Sequence, residues 1–127
     1  MDKKILVTAA IFGITAIILG AFGAHALKEV LSAEQLQTFE TGVKYQMYHA
    51  LLLLFVGMYS GISAKTKKAV FWLVAVGVVC FSGSIYLLST GAAANFNKIA
   101  GPVTPVGGTL LIIGWFVLLV DFLRQKS

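Results

Sequence analysis

Charged residues are scarce in this sequence: they make up 12% of its 127 residues, whereas hydrophobic residues make up 58%. A soluble domain normally carries about a quarter charged residues. The scarcity of charge therefore indicates a membrane protein, and the length allows a single domain over residues 1–127. The net charge is +5, but the cations lie at the ends of apolar runs and form no basic face for a phosphate backbone to follow. We therefore expect no nucleic-acid partner.

Cysteine is also scarce, and acidic residues are absent from the interiors of the apolar runs. Cys80 is the only cysteine, which excludes an intrachain disulfide and a cysteine-based zinc site. The two histidines have no HxxxH or ExxH spacing, so we predict no metal and no cofactor. A proton-coupled exporter of this size would need an acidic residue within a span, and none is present. Asp121 ends the last apolar run, and we expect it to form a surface pair with Arg124, one turn away.

Long, nearly uncharged apolar runs dominate the rest of the chain. A run of about 18 residues or more can cross a bilayer core. Four runs are long enough, and they predict spans at 5–24, 45–64, 69–88 and 103–123. Lipid leaves the backbone no partner outside a helix or a closed barrel, and these runs lack the alternation of barrel strands. The sequence therefore predicts an all-α, integral membrane four-helix bundle.

The lysines and arginines predict the orientation of that bundle. Seven of the ten flank the N-terminus, the second connection and the C-terminus: Lys3, Lys4, Lys65, Lys67, Lys68, Arg124 and Lys126. The other three lie in the first and third connections: Lys28, Lys44 and Lys98. The positive-inside rule then places both termini in the cytoplasm, with the protein in the cell (inner or plasma) membrane.

The stretch GAFGAHALK, residues 20–28, resembles a signal-peptide cleavage site at the end of the first apolar run. A signal peptide has an apolar region of about 7–15 residues. The run here extends over 5–24 and is long enough to span a bilayer. We therefore interpret it as a retained first helix.

The connection between the first two spans contains a predicted helix of its own. Ser32 and Gln35 fit a capping box. The apolar residues that follow recur on one helical face: Leu36, Phe39 and Val43. We predict a short amphipathic helix at 33–44, which either lies on the outer leaflet or packs on the top of the bundle.

Small residues recur at spacings of three, four or seven in every span. Helices approach closely in lipid through such residues. The predicted helix-packing positions are Gly13, Gly20, Ala24, Gly57, Gly61, Gly77, Ser84, Gly107 and Gly114. Tight packing within one chain and contact in a homo-oligomer both explain them.

The polar residues of the spans concentrate in their outer halves. They predict a candidate outer pocket lined by His25, Tyr45, Gln46, His49, Ser82, Tyr86 and Thr104. The alternative is interfacial anchoring of the tyrosines and histidines, with the hydroxyls bonded to their own helices. Ser82 or Ser84 could pair with His49 as a nucleophile, but no carboxylate is available to orient that pair. We therefore assign no catalytic residue.

Four motifs in order carry a family resemblance: GAFGAHALK (20–28), FxTGVKYQMYHALLLL (39–54), FSGSIYLL (81–88) and GPVTPVGGTLLIIGW (101–115). On these motifs the sequence resembles the small bacterial inner-membrane family typified by YwdK and YgdD, which has eukaryotic transmembrane relatives. The resemblance covers essentially the whole chain and implies a four-span membrane protein. The family is one of unknown function, so the resemblance implies no reaction.

Three functions fit this sequence, and we rank them. The first is a non-enzymatic membrane protein that binds a lipid, an apolar small molecule or a partner protein through the outer pocket. The second is an oligomeric minimal transporter or channel. The third is an outward-facing membrane enzyme that uses His49.

Overall fold

The computed structural model describes residues 2–90 and 97–125, and these residues contain no strand. Four long helices follow in chain order: α1 (Asp2–His25), α2 (Ala33–Met58), α3 (Ala64–Thr90) and α4 (Asn97–Arg124). A short 3-10 helix, Leu27–Glu29, lies between α1 and α2. The all-α bundle expected from the hydropathy of the chain is confirmed. Lys126, counted above for orientation, lies outside the described residues.

The helix α2 begins where the sequence predicts, but it extends further. Gln35 N donates to Ser32 Oγ at 3.1 Å and Ser32 N donates to Gln35 Oε1 at 2.9 Å, which confirms the capping box. The expected amphipathic helix at 33–44 and the first part of the span at 45–64 form one continuous helix that ends at Met58. No proline interrupts this segment, so the change in hydropathy near residue 44 does not break the helix.

The other helices are also longer than the predicted spans. Residue 64 rather than 69 begins α3, and residue 97 rather than 103 begins α4. Polar residues at these ends continue the helix beyond its apolar part. Two prolines, Pro102 and Pro105, consequently lie inside α4.

Consecutive helices pack antiparallel. A Cβ built on Gly23 of α1 would lie 3.0 Å from the Phe39 ring, whereas one on Gly57 would lie 2.8 Å from Leu6, so α1 and α2 run in opposite directions. All four helices contribute to one apolar core. Its most deeply buried members include Ile5, Ala9, Leu53, Val56, Val70, Val74 and Leu118.

Three of the described helices are long and apolar enough to cross a membrane: those over residues 2–29, 64–90 and 101–124. The helix α2 is not among them, because its middle carries Lys44, Gln46 and His49. Gln46 and His49 are only 5% and 4% exposed, so the other helices cover them. The large apolar residues on the outer faces of α1 and α4 are exposed, as expected of surfaces that face lipid: Ile14, Ile17, Ile18, Ile112, Phe116 and Leu123.

Glycines allow the closest backbone contacts in the bundle. A Cβ on Gly107 would collide with the backbone of Cys80 and Phe81, so α3 and α4 touch through their main chains there. At Gly42, a Cβ would lie 2.8 Å from the Tyr86 ring. These two positions bring α3 close to both of its neighbours.

The small residues singled out from the sequence divide into two groups. Members in contact with a neighbouring helix are Gly20, Gly57, Gly77, Ser84, Gly107 and Gly114. By contrast, no atom lies within 4 Å of a Cβ built on Gly13, and Ala24 is exposed. Gly61 lies in the turn between α2 and α3, where its carbonyl oxygen accepts from Gln125 Nε2 at 2.8 Å. We see no helix-packing role for these three positions in the described residues.

The antiparallel arrangement gives the bundle two chemically different ends. At the lysine-rich end, Lys67 Nζ lies 3.2 Å from Asp2 Oδ1, and Asp121 Oδ1 accepts from Thr66 Oγ1 at 2.8 Å. The other, lysine-poor end contains His25 and the connection from α1 to α2.

Candidate functional site

The seven residues of the candidate outer pocket lie in the lysine-poor half of the bundle, but they do not form a single pocket. Gln46, Ser82 and Tyr86 lie in a polar cluster between α1, α2 and α3. Tyr45 and His49 face α4 instead. The remaining two, His25 and Thr104, join neither group.

The polar cluster is closed by its own hydrogen bonds. Gln46 Nε2 donates to the Phe12 carbonyl oxygen at 2.9 Å and to Thr15 Oγ1 at 2.6 Å. Gln46 Oε1 accepts from the Tyr86 hydroxyl at 2.6 Å. A side-chain amide has two donor hydrogens and an oxygen that can accept two hydrogen bonds, so three of its four possible bonds are made here. The cluster therefore ties α1, α2 and α3 together and leaves no amide donor for a ligand.

The serines near this cluster also have protein partners. Ser82 Oγ donates to the Gly42 carbonyl oxygen at 2.7 Å, which links α3 to α2. Ser84 Oγ bonds to the Phe81 carbonyl oxygen at 3.0 Å and to Thr104 of α4. Neither serine pairs with His49, so the nucleophilic pair considered from the sequence is not formed.

His49 is held by two partners that fix the state of its imidazole. Nδ1 lies 2.6 Å from the carbonyl oxygen of Tyr45, and Nε2 lies 3.1 Å from Nε1 of Trp115. A carbonyl oxygen only accepts and an indole N–H only donates. The geometry therefore assigns a neutral imidazole with its proton on Nδ1 and with Nε2 occupied by the indole.

A cavity of about 420 Å³ opens beside this histidine, between α2 and α4. Its lining residues are Thr41, Tyr45, His49, Phe81, Gly108, Leu111, Ile112 and Trp115. Most of this lining is apolar. The ring of Tyr45 packs against Phe81 with centroids 5.3 Å apart, and Trp115 meets the imidazole edge-on at 6.1 Å. The cavity thus combines apolar walls with a few polar groups, as small-molecule sites usually do.

Trp115 was not singled out from the sequence, although it is central to this site. Its ring is 49% exposed, and its N–H bonds the buried histidine. Two observations could have found it. Gly108, Leu111 and Trp115 recur at the spacing of one helical face, and a tryptophan N–H within an apolar span needs an acceptor.

His25 lies apart from both groups. It is the last residue of α1 and is exposed, and it has no hydrogen-bond partner among the described residues. The predicted approach of His25 to the other pocket residues therefore does not occur here. In residues 2–90 and 97–125, no three His, Cys, Asp or Glu side chains gather as a metal site would require.

Comparison with known proteins adds a class and a family to this geometry. A family model described as "Protein of unknown function (DUF423)" matches residues 19–108. A UPF0382 membrane protein of Staphylococcus saprophyticus is 42% identical over 93% of this chain and 95% of its own length. The UPF0382 membrane protein YwdK of Bacillus subtilis is 41% identical, covering 93% of this chain and 94% of YwdK. The UPF0382 inner membrane protein YgdD of Escherichia coli is 36% identical, over 98% and 93%.

The apolar helices and these relatives define the chain as a small helical membrane protein. Within that class, the chain belongs to the DUF423 family of unknown function. The resemblance to YwdK and YgdD seen in the four sequence motifs is confirmed. No solved structure shows significant similarity to the chain.

Proposed function

We propose that the protein binds an apolar molecule with a small polar group, such as a membrane lipid, in the groove between α2 and α4. The observation that carries this proposal is the cavity of about 420 Å³ beside His49, with its apolar walls. We propose binding without catalysis, because both nitrogens of the buried imidazole already have partners. Acting as a base would require Nε2 to lose the indole of Trp115 first.

A second cavity lengthens the groove toward the lysine-rich end. It measures about 390 Å³ and is lined by Leu52, Phe55, Trp115, Leu118, Leu119 and Phe122. Trp115 borders both cavities, so its indole divides one long groove into two parts. The second part has an almost wholly apolar lining, which suits a hydrocarbon chain. The first part, with the Tyr45 and Thr41 hydroxyls, suits the polar group.

Tryptophan fluorescence can test this proposal, because the chain has only two tryptophans. Trp72 lies in α3 with its ring near Lys4, away from the groove. The Trp72→Phe variant therefore reports from Trp115 alone, and Trp115→Phe reports from Trp72 alone. Titration with a brominated phospholipid at low mole fraction in detergent should quench the Trp115 reporter in a saturable way. The Trp72 reporter should show only the linear quenching of a lipid-facing ring.

A blocking variant provides the matched control. Gly108 lines the cavity, and a Cβ there would make ordinary contact with Phe81 at 3.5 Å. Gly108→Leu should fill the cavity and abolish saturable quenching of Trp115. Gly83→Leu adds the same side chain to an open position of α3 and should leave the quenching unchanged. Equal, non-saturable quenching in all variants would refute the proposal.

We also propose that α2 is embedded as a fourth span, which places both termini on the cytoplasmic side. Gln46 and His49 are covered inside the bundle, while Leu51, Leu54 and Phe55 are exposed. A Cys80→Ser background with Lys28→Cys or Ser60→Cys can test this topology in intact cells. An impermeant thiol reagent should label position 28 and not position 60. Labelling of both positions, or of position 60 alone, would contradict the proposal.

A further inference from the structure

We propose a second ligand site, at the lysine-rich end of the bundle, that binds the headgroup and upper acyl chain of an anionic phospholipid. A cavity of about 380 Å³ lies between the start of α3 and the end of α4. Its rim carries Lys65 and Arg124, and its interior is lined by Ala69, Phe116 and Val120. This site lies on a different helix pair from the groove and does not depend on ligand binding there, but its position beside an anionic leaflet rests on the proposed topology.

Neither of the two cations at the rim forms an ion pair with another described side chain. Among the described side chains, the one ion pair joins Lys67 to Asp2. Asp121 also lines the cavity, yet its carboxylate is held by neutral donors: Oδ1 accepts from Thr66 Oγ1 at 2.8 Å and Oδ2 from Gln125 Nε2 at 3.0 Å. The surface pair expected between Asp121 and Arg124 is therefore absent.

The hydrogen bonds of Asp121 leave Lys65 and Arg124 available for an outside anion. The same bonds fix the shape of the site, because Ser63 Oγ also donates to Asp121 Oδ1 at 3.2 Å. They join the turn before α3 to the end of α4. These hydrogen bonds therefore hold in place the two helix ends that carry the cations.

The apolar interior favours a lipid over a free anion. Phe116 is 61% exposed on the outer face of α4, and Val120 follows it one turn closer to the rim. A phosphate between Lys65 and Arg124 would place the attached acyl chain along this face. Basic pockets between membrane helices at the lysine-rich side commonly bind anionic headgroups in this way.

Charge complementarity supports the same occupant. Seven of the ten lysines and arginines flank the N-terminus, the second connection or the C-terminus, which define the lysine-rich end. The adjacent leaflet would then supply a negative surface, and each cation near such a surface strengthens binding roughly fivefold. Loss of both rim cations should therefore weaken binding tenfold or more.

Native mass spectrometry of the full chain in nonionic detergent can test the site. The probes are phosphatidylglycerol and phosphatidylcholine with identical acyl chains. We expect preferential binding of phosphatidylglycerol, and a loss of at least tenfold in that preference for the double variant Lys65→Gln/Arg124→Gln. The conservative variant Lys65→Arg/Arg124→Lys should retain it.

The matched control is Lys3→Gln/Lys68→Gln, which removes two exposed cations from the same end but outside the cavity. This control should keep the preference. An equal loss in both double variants would overturn the site in favour of diffuse surface charge. If glycerol phosphate displaced the lipid at a comparable concentration, the proposed contribution of the acyl chain to binding would be refuted. Equal binding of both lipids would overturn the proposal, whereas an unchanged preference in Gly108→Leu would separate the site from the groove.

Discussion

The contact between α3 and α4 at Gly107 yields a sharp prediction about stability. A Cβ on Gly107 would lie 2.8 Å from Cys80 Cβ and closer still to the backbone nitrogen of Phe81. The neighbouring Gly108 has room, since its Cβ would lie 3.5 Å from the Phe81 ring. Gly107→Ala and Gly108→Ala thus make the same chemical change at adjacent positions of one helix. We expect them to have opposite effects.

The magnitude follows from two opposing terms. Alanine is favoured over glycine inside a helix by about 1 kcal/mol, although less if the denatured state in detergent remains helical. Forcing an extra group into a packed interface costs about 1–3 kcal/mol. Only Gly107→Ala incurs the second term, because the atoms it meets belong to a backbone that cannot rotate away. We therefore expect Gly107→Ala to be less stable than Gly108→Ala by about 1–3 kcal/mol.

The assay is reversible unfolding of the purified chain in a nonionic detergent titrated with dodecyl sulfate, followed by tryptophan fluorescence and by circular dichroism. Wild type should lie between the two variants, or level with Gly108→Ala. Equal midpoints for the two variants would refute the close backbone contact. A more stable Gly107→Ala would show that the two helices are further apart than the structure places them.

Three further stability differences should appear in the same titration. Tyr86→Phe removes the donor to Gln46 and should cost about 1 kcal/mol, with no loss of lipid binding in the groove. Asp2→Asn should destabilise the chain more than Lys67→Met, by about 1 kcal/mol, because only the first leaves a buried cation without its partner. Asp121→Ala should cost about 1 kcal/mol, because it removes the acceptor of the part-buried Thr66 hydroxyl while Ser63 and Gln125 can bond water, and Asp121→Asn should cost less.

Hydropathy predicted the number, order and type of the long helices because the burial of apolar residues in lipid is the largest signal in this sequence. It predicted the helix bounds less well. The residues at 64–68 and 97–102 are polar or irregular in hydropathy, yet hydrogen bonding continues the helix through them. The amphipathic helix expected at 33–44 likewise continues into the helix expected from residue 45, without a break. A change of environment along a helix does not require a break in its backbone.

The sequence predicted which half of the bundle contains the candidate residues. It did not predict which neighbouring helix each residue faces. Tyr45 and His49 are four residues apart and share a face of α2, whereas Gln46 lies about 100° away from Tyr45. The same spacing puts Ser82 and Tyr86 together on α3. Helical geometry alone separates Tyr45 from Gln46, but it places His49, three residues from Gln46, only about 60° from it. It could not have shown which group would be closed by hydrogen bonds and which would border a cavity, because that depends on α1 and α4.

The two faces of α2 explain how a helix with a histidine and a glutamine can lie inside an apolar bundle. A polar group taken out of water is costly unless it is hydrogen-bonded, and this helix satisfies its groups through different neighbours. Gln46 makes three hydrogen bonds to α1 and α3, so its contacts serve the fold. His49 is satisfied by its own helix and by Trp115, a side chain that is half exposed at a cavity. We therefore expect the proposed ligand to enter on the side of His49, where Trp115 is the partner that has to adjust.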